Sequence, residues 1–334
     1  VIEVQVSPHN LTPVIGILQF GPQIMADRYS YQVAPLFSIL LSVALLKLTN
    51  KKLCKFLSII LLVLISLFAK LTWEQSKIWK SDFQIWKHSL KILPDFSTAL
   101  YNVGVGYERN NELDKAIQYY KRVLKVEEKY FFEPDCADVC ARIGLLYERL
   151  GDIQQAIDFY NEALKINTNH FLANMHLGEV FLNRKEFMKS IKYFTSALKY
   201  ENIKEKEITQ AKDKLSYAYY KYGVNLFISE KEEESVQAFK MSLQYNPEMA
   251  NVHIYLGKIF ANNQKMREAK EEFNLALQID ENNIYALFNL ANILSYEGNK
   301  KKSVNYLKRI LEIDPKFVPA RKLLLAITEK TNLN

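Results

Sequence analysis

Apolar positions in the C-terminal two-thirds of the chain recur with two nested spacings. Within a segment they fall three and four residues apart, which is the spacing of one face of an α-helix. Between segments they return about every 34 residues: Val252-His253-Ile254-Tyr255-Leu256-Gly257 comes back, much altered, as Ala286-Leu287-Phe288-Asn289-Leu290-Ala291. Taking the small residue of each first helix as an anchor gives Gly104, Gly144, Gly178, Gly223, Gly257 and Ala291. Twelve positions on lies a second small residue: Ala116, Ala156, Ser190, Ser235, Ala269 or Ser303. Large apolar residues follow the anchor by three positions (Tyr107, Tyr147, Phe181, Leu226, Phe260, Leu294) and by sixteen (Tyr120, Tyr160, Phe194, Phe239, Phe273, Leu307). A leucine then stands at 124, 164, 198, 243, 277 and 311. Small residues let two helices approach closely, and large ones fill the space between neighbouring pairs. The pattern predicts helix–turn–helix units at 97–130, 137–170, 171–204, 216–249, 250–283 and 284–317. Such a unit cannot bury its apolar face alone and must stack on copies of itself.

Punctuation supports these boundaries. Pro94, Pro247 and Pro315 fall where second helices must stop. The register breaks twice, by six residues (Phe131 to Cys136) and by eleven (Glu205 to Leu215). Lys204 to Tyr222 contains no breaker, so the second insertion reads as a longer helix. Residues 73–96 form a connector with a half repeat, in which Asp82 to Pro94 reads as a second helix. Residues 318–334 read as a capping helix and tail, with Arg321, Lys322, Glu329 and Lys330 on its polar side.

The repeated residues resemble those of the tetratricopeptide family, and the resemblance covers about two-thirds of the chain. It implies an all-α fold, a right-handed solenoid whose first helices line a concave groove for a protein or peptide partner. By the same resemblance the inward positions include Tyr101, Arg109, Arg149, Tyr217, Tyr220, Phe227, Tyr285, Phe288, Asn292 and Tyr296. Aromatic side chains give large contact area at little entropic cost. They serve equally well as packing between neighbouring first helices, so both roles stay open for each. Some tetratricopeptide glycosyltransferases grip a substrate backbone with a run of asparagines. The matching positions here are Asn102, Arg142, His176, Lys221, Tyr255 and Asn289, and only two of the six fit. The carboxylate clamp of chaperone adaptors is not matched either.

Ahead of the repeats the pattern changes to near-continuous apolar runs, at 33–48 and 56–69. With their flanks they predict transmembrane helices at about 33–49 and 53–71, since a span needs about 20 residues. Lys47, Lys55 and Lys70 can snorkel, and Tyr31, Trp73 and Trp79 suit the interface. The alternative is a buried helical hairpin, which the lack of a polar stripe disfavours. Lys47, Lys51, Lys52 and Lys55 crowd the hairpin loop and place it on the cytoplasmic side, so the repeats are expected to be extracytoplasmic. Lys70, Lys77, Lys80 and Lys87 dilute that bias. The chain opens at Val1 without methionine, and residues 1–72 read as the remnant of a multi-spanning membrane domain.

A second resemblance rests on Pro13 to Gly21, on Met25-Ala-Asp-Arg-Tyr-Ser-Tyr31, on the two apolar helices, and on Trp73 to Trp86 leading into repeats. This layout resembles the end of membrane glycosyltransferases that use lipid-linked sugar donors, including protein O-mannosyltransferase-like members with tetratricopeptide tails. In that superfamily the catalytic carboxylates lie in an early extracytoplasmic loop that this sequence does not include. The expected catalytic set is therefore empty, and the chain alone is expected to lack transferase activity. The resemblance implies a donor-phosphate contact for Arg28 and a lipid-phosphate sugar donor for the full-length protein. Read from the residues alone, Asp27 and Arg28 are a juxtamembrane pair that anchors a loop.

Composition excludes more than it adds. The net charge is +7, from 44 basic and 37 acidic residues that are interspersed, so runs such as Lys300 to Lys302 read as solvated faces and no nucleic-acid groove is implied. Cys136 and Cys140, one helical turn apart, are poorly placed for a disulfide and read as small core residues. The five histidines are scattered, no metal set is apparent, and no cofactor is implied. There is no phosphate loop, zinc-protease motif or nucleophile elbow. Two functions remain: a membrane-anchored module that presents protein substrate to a glycosyltransferase, or a non-enzymatic membrane-tethered scaffold.

Overall fold

The computed structural model describes residues 51–78, 80–126, 135–200 and 203–332, with the side chains of 51–54, 68, 72, 74, 75, 77, 78 and 329–332 left aside. All regular structure among them is α-helical. The chain divides into two compact units, Val1–Pro134 and Asp135–Asn334.

The first unit holds α1 (Lys51–Ile78), α2 (Asp82–Ile92), α3 (Ser97–Arg109) and α4 (Leu113–Val123). Helix α1 has 28 residues, about 42 Å at 1.5 Å per residue. Its exposed residues include Phe56, Ile59, Leu62, Val63, Leu64, Ile65 and Leu67, which face every direction around the axis. Among the described residues no helix is long and apolar enough to cross a membrane. The longest unbroken run of described side chains in α1 is 55–67. The span expected at 33–49, and Arg28, lie outside the described residues. Ser81 caps α2 by accepting from the Gln84 amide.

The second unit runs α5 (Cys136–Leu150), α6 (Ile153–Ile166), α7 (Phe171–Asn183), α8 (Phe187–Ala197), α9 (Glu205–Ile228), α10 (Glu232–Tyr245), α11 (Ala250–Asn262), α12 (Met266–Ile279), α13 (Ile284–Tyr296), α14 (Lys300–Ile313) and α15 (Val318–Asn332). The helices form antiparallel pairs, each second helix packs on the next first helix, and α15 closes the last pair. Residues 205–215 are helical and continue into 216–228 without a break, which makes α9 24 residues long.

One device closes every pair. A Cβ at Gly104, Gly144, Gly178, Gly223 or Gly257 would stand 2.5–2.7 Å from the ring of Tyr120, Tyr160, Phe194, Phe239 or Phe273 respectively. Each of these rings is fully buried. Where the anchor is Ala291 the facing residue is the smaller Leu307, so the same space is filled with the volume shared differently. Serine at the +12 position adds a bond: Ser190, Ser235 and Ser303 donate to the carbonyls of Gly178, Gly223 and Ala291, each at 2.8 Å.

The turn inside every pair is also uniform. The residue seven beyond each anchor has positive φ: Asn111, Gly151, Lys185, Glu230, Gln264 and Gly298. The amide that follows it reaches back to the carbonyl three beyond the anchor, as in Asp152 N to Tyr147 O (2.9 Å) and Lys265 N to Phe260 O (2.8 Å). This is the left-handed closure of a helix C-terminus.

The expectation that both cysteines lie in the core needs correction. Cys140 is buried, and burial is the main reason its thiol is pushed up to about 11. Cys136 is exposed at the first turn of α5, because the helix begins there and turns that side chain outward.

Candidate interaction surface

The first helices α3, α5, α7, α9, α11 and α13 carry all the expected contact residues that the structure describes, and the structure sorts those residues into different situations. In the first unit Tyr101 is half-buried and leans on Tyr120, with ring centroids 5.6 Å apart. Asn102 donates to the Thr98 carbonyl of its own helix (2.8 Å), and Arg109 is exposed in the last turn of α3.

In the second unit the first-helix carboxylates of α5 and α7 each meet a nitrogen partner, one of them from α9. Arg142 pairs with Asp138 at 3.0 Å, and Lys214 with Glu179 at 2.8 Å. Glu148 lies 3.1 Å from His176 Nδ1 and accepts the Tyr160 hydroxyl at 2.7 Å. The contact with His176, and then the one with Tyr160, hold its carboxyl below the ordinary 4.5. His176 stacks on Tyr160 at 5.5 Å and 12°. The same hydroxyl-to-carboxylate bond joins Tyr120 to Glu108 at 2.9 Å. His253 is buried between α11 and α12, with Nδ1 2.7 Å from Glu272. It is a wall residue and not part of the open face.

Between α9 and α11 the aromatic residues converge. Tyr255 stands at the centre, 6.1 Å from Tyr220 and 5.6 Å from Phe227, both edge-on, and 5.6 Å from the buried Phe239, on which it stacks. Tyr217 lies 6.0 Å from Tyr220 and keeps 41% of its surface open. Lys221 sits over Tyr217 and Tyr220 at 5.2 and 5.7 Å, and Lys258 over Tyr255 at 5.2 Å. Burial is the main cause that raises the Tyr220 hydroxyl above its ordinary 10.0, so this group stays protonated at neutral pH.

The α13 residues do not join that cluster. Tyr285 and Phe288 meet Phe317, at 6.2 and 5.5 Å, where the chain enters α15. Asn289 donates to the Tyr285 carbonyl at 2.8 Å. Asn292 and Arg149 are exposed, and Tyr296 is 86% exposed. Pattern reasoning missed Lys258 and Phe317 and weighed Tyr255 and Lys221 only as asparagine substitutes. The signal available was spacing: Tyr217–Lys221 and Tyr255–Lys258 are one helical turn apart, which lets a lysine fold over the ring. No group of three or more His, Cys, Asp or Glu side chains that could hold a metal ion occurs among the described residues.

Stacked helix pairs whose first helices carry aromatic and polar side chains define a helical-repeat interaction module. Family profiles for the tetratricopeptide repeat match residues 95–169, 142–202, 250–283 and 284–317, together just over half of the chain. The chain belongs to the tetratricopeptide repeat family. It is similar to human protein O-mannosyl-transferase TMTC3, 23% identical over 300 residues, covering 88% of this chain and 28% of that protein. The mouse TMTC3 match is 23% identical over 273 residues, with 80% and 25% covered. The chain thus spans about a quarter of the length of these curated relatives. Among solved structures, the C-terminal part of a TPR repeat-containing protein from Cytophaga hutchinsonii has the same fold. It has a TM-score of 0.50 and 17% identity over 76% of this chain and 97% of that one.

Proposed function

We propose that the chain is the membrane-anchored repeat module of a glycosyltransferase that uses a lipid-linked sugar donor, and that the repeats bind or present protein substrate. The observation that carries this reading is the extent of the TMTC3 match. An alignment over 88% of 334 residues is longer than the 238 residues from Ser97 onward, so it takes in part of the apolar segment ahead of the repeats. A helix-pair likeness alone would stop at the repeats. The exposed, all-round apolar surface of α1 supports the same reading, because water disfavours such a surface and a lipid phase accepts it. On this reading residues 53–71 span the bilayer, the lysines before them stay cytoplasmic, and the repeats lie on the extracytoplasmic side. Sugar transfer, the lipid-phosphate donor and the Arg28 contact belong to the whole enzyme. This chain's part is recognition by its first-helix face.

The test is topology in microsomes. Gln264→Ser makes an N-glycosylation acceptor of Asn262, the exposed last residue of α11 at the α11–α12 turn. The reading predicts a glycan on that turn and a chain that resists alkaline carbonate extraction. A carbonate-soluble chain, or an unmodified turn in a membrane-bound chain, contradicts it.

A further inference from the structure

We propose that the α9–α11 shelf takes an acidic, apolar-rich segment of the partner polypeptide, with its carboxylates on Lys221 and Lys258 and its apolar side chains on Tyr217, Tyr220 and Tyr255. This deepens the reading above and rests on the first-helix face being the partner surface. The twelve first-helix positions from six before each anchor to five after it include that face. In the last three repeats these positions carry only two charged side chains, both lysine. Among the described residues neither lysine has a carboxylate within ion-pair distance. The carboxylates of the α5–α7 portion, by contrast, are met by Arg142, His176 and Lys214.

The two ammonium groups rest on tyrosine rings, which orient them without cancelling their charge. Both side chains are half-buried, so a carboxylate brought there is less screened than one at a fully exposed lysine. Tyr217 leaves open apolar surface beside Lys221, and Ile228, two turns further along α9, is 74% exposed. A cationic pair flanked by open apolar surface complements a segment that alternates acidic and apolar residues. Two cations without an arginine track are too few for a nucleic-acid backbone.

The test is selection of random peptides about twelve residues long against the full chain in detergent micelles. Asp and Glu are expected to be enriched in the selected pool. A selected peptide is expected to bind about tenfold more weakly to Lys221→Gln and to Lys258→Gln, and about a hundredfold more weakly to the double variant. Circular dichroism and melting are expected to stay unchanged, and binding is expected to weaken with salt. Selected peptides without acid enrichment, or with equal affinity for the double variant, overturn the acidic class. If such peptides still lose affinity on Tyr217→Ala, the partner surface stands. Peptides indifferent to Tyr217→Ala and Tyr255→Ala, or oligomannose binding with no peptide selected, overturn both.

Discussion

At the residue scale the fold rests on six contacts between a small anchor and the side chain sixteen positions later. Gly257 lies under Phe273, and an added Cβ would stand 2.6 Å from the ring. Gly257→Ala is therefore expected to cost about 2 kcal/mol. Phe273→Leu alone costs roughly 1–2 kcal/mol. The Ala291–Leu307 pair shows that the two changes fit together, so the double variant should cost less than the sum by about 1 kcal/mol, read as a double-mutant cycle in urea. The turn residues give an independent check. Lys185 holds φ 61° and Gly151 φ 85°. Lys185→Gly should stabilise by about 0.5–1 kcal/mol and Gly151→Ala destabilise by about 1 kcal/mol, read as opposite shifts of the urea midpoint. The anchors were legible in the sequence because glycine and aromatic residues sixteen apart have few other uses. The left-handed position was not, because Asn111, Lys185, Glu230 and Gln264 lack the glycine signal.

At the element scale, neighbouring first helices are joined by polar links as well as by packing. Glu148 on α5 meets His176 on α7, and the contact favours its ionised form. A carboxyl held below its ordinary 4.5 contributes stability that is present above that pH and is lost as pH falls through the depressed value. Unfolding free energies measured from pH 7 to pH 3 should fall more steeply below about pH 4.5 in the native chain than in Glu148→Gln. Equal slopes would remove this link from the account. The first helices themselves were readable from spacing, as was the lengthening of α9, since Lys204 to Tyr222 holds no proline or glycine. Which aromatic residues would meet was less readable. Tyr285 and Phe288 are claimed by Phe317, which lies beyond the second helix of the last pair. Lys258 matters only because α9 brings Tyr220 and Phe227 against Tyr255.

At the scale of the whole molecule, an apolar helix precedes helix pairs of which α9 and α11 present aromatic rings and two lysines. If α1 is held by lipid, Leu62→Lys with Ile65→Lys should release much of the chain into the carbonate supernatant, because charged residues at a span's centre cost about 3 kcal/mol each. The repeats should retain their helical circular dichroism. The measurement that tests the central claim most directly is photo-crosslinking of the full chain in intact membranes, with a benzophenone residue at Tyr217 and, as control, at exposed Lys308. The account predicts a polypeptide adduct from position 217 that stays in the carbonate-washed membrane and is lost in the Lys221→Gln, Lys258→Gln background. It predicts no such adduct from position 308. Equal adducts from both positions, or none from position 217 in a chain shown to be membrane-bound and folded, would contradict it.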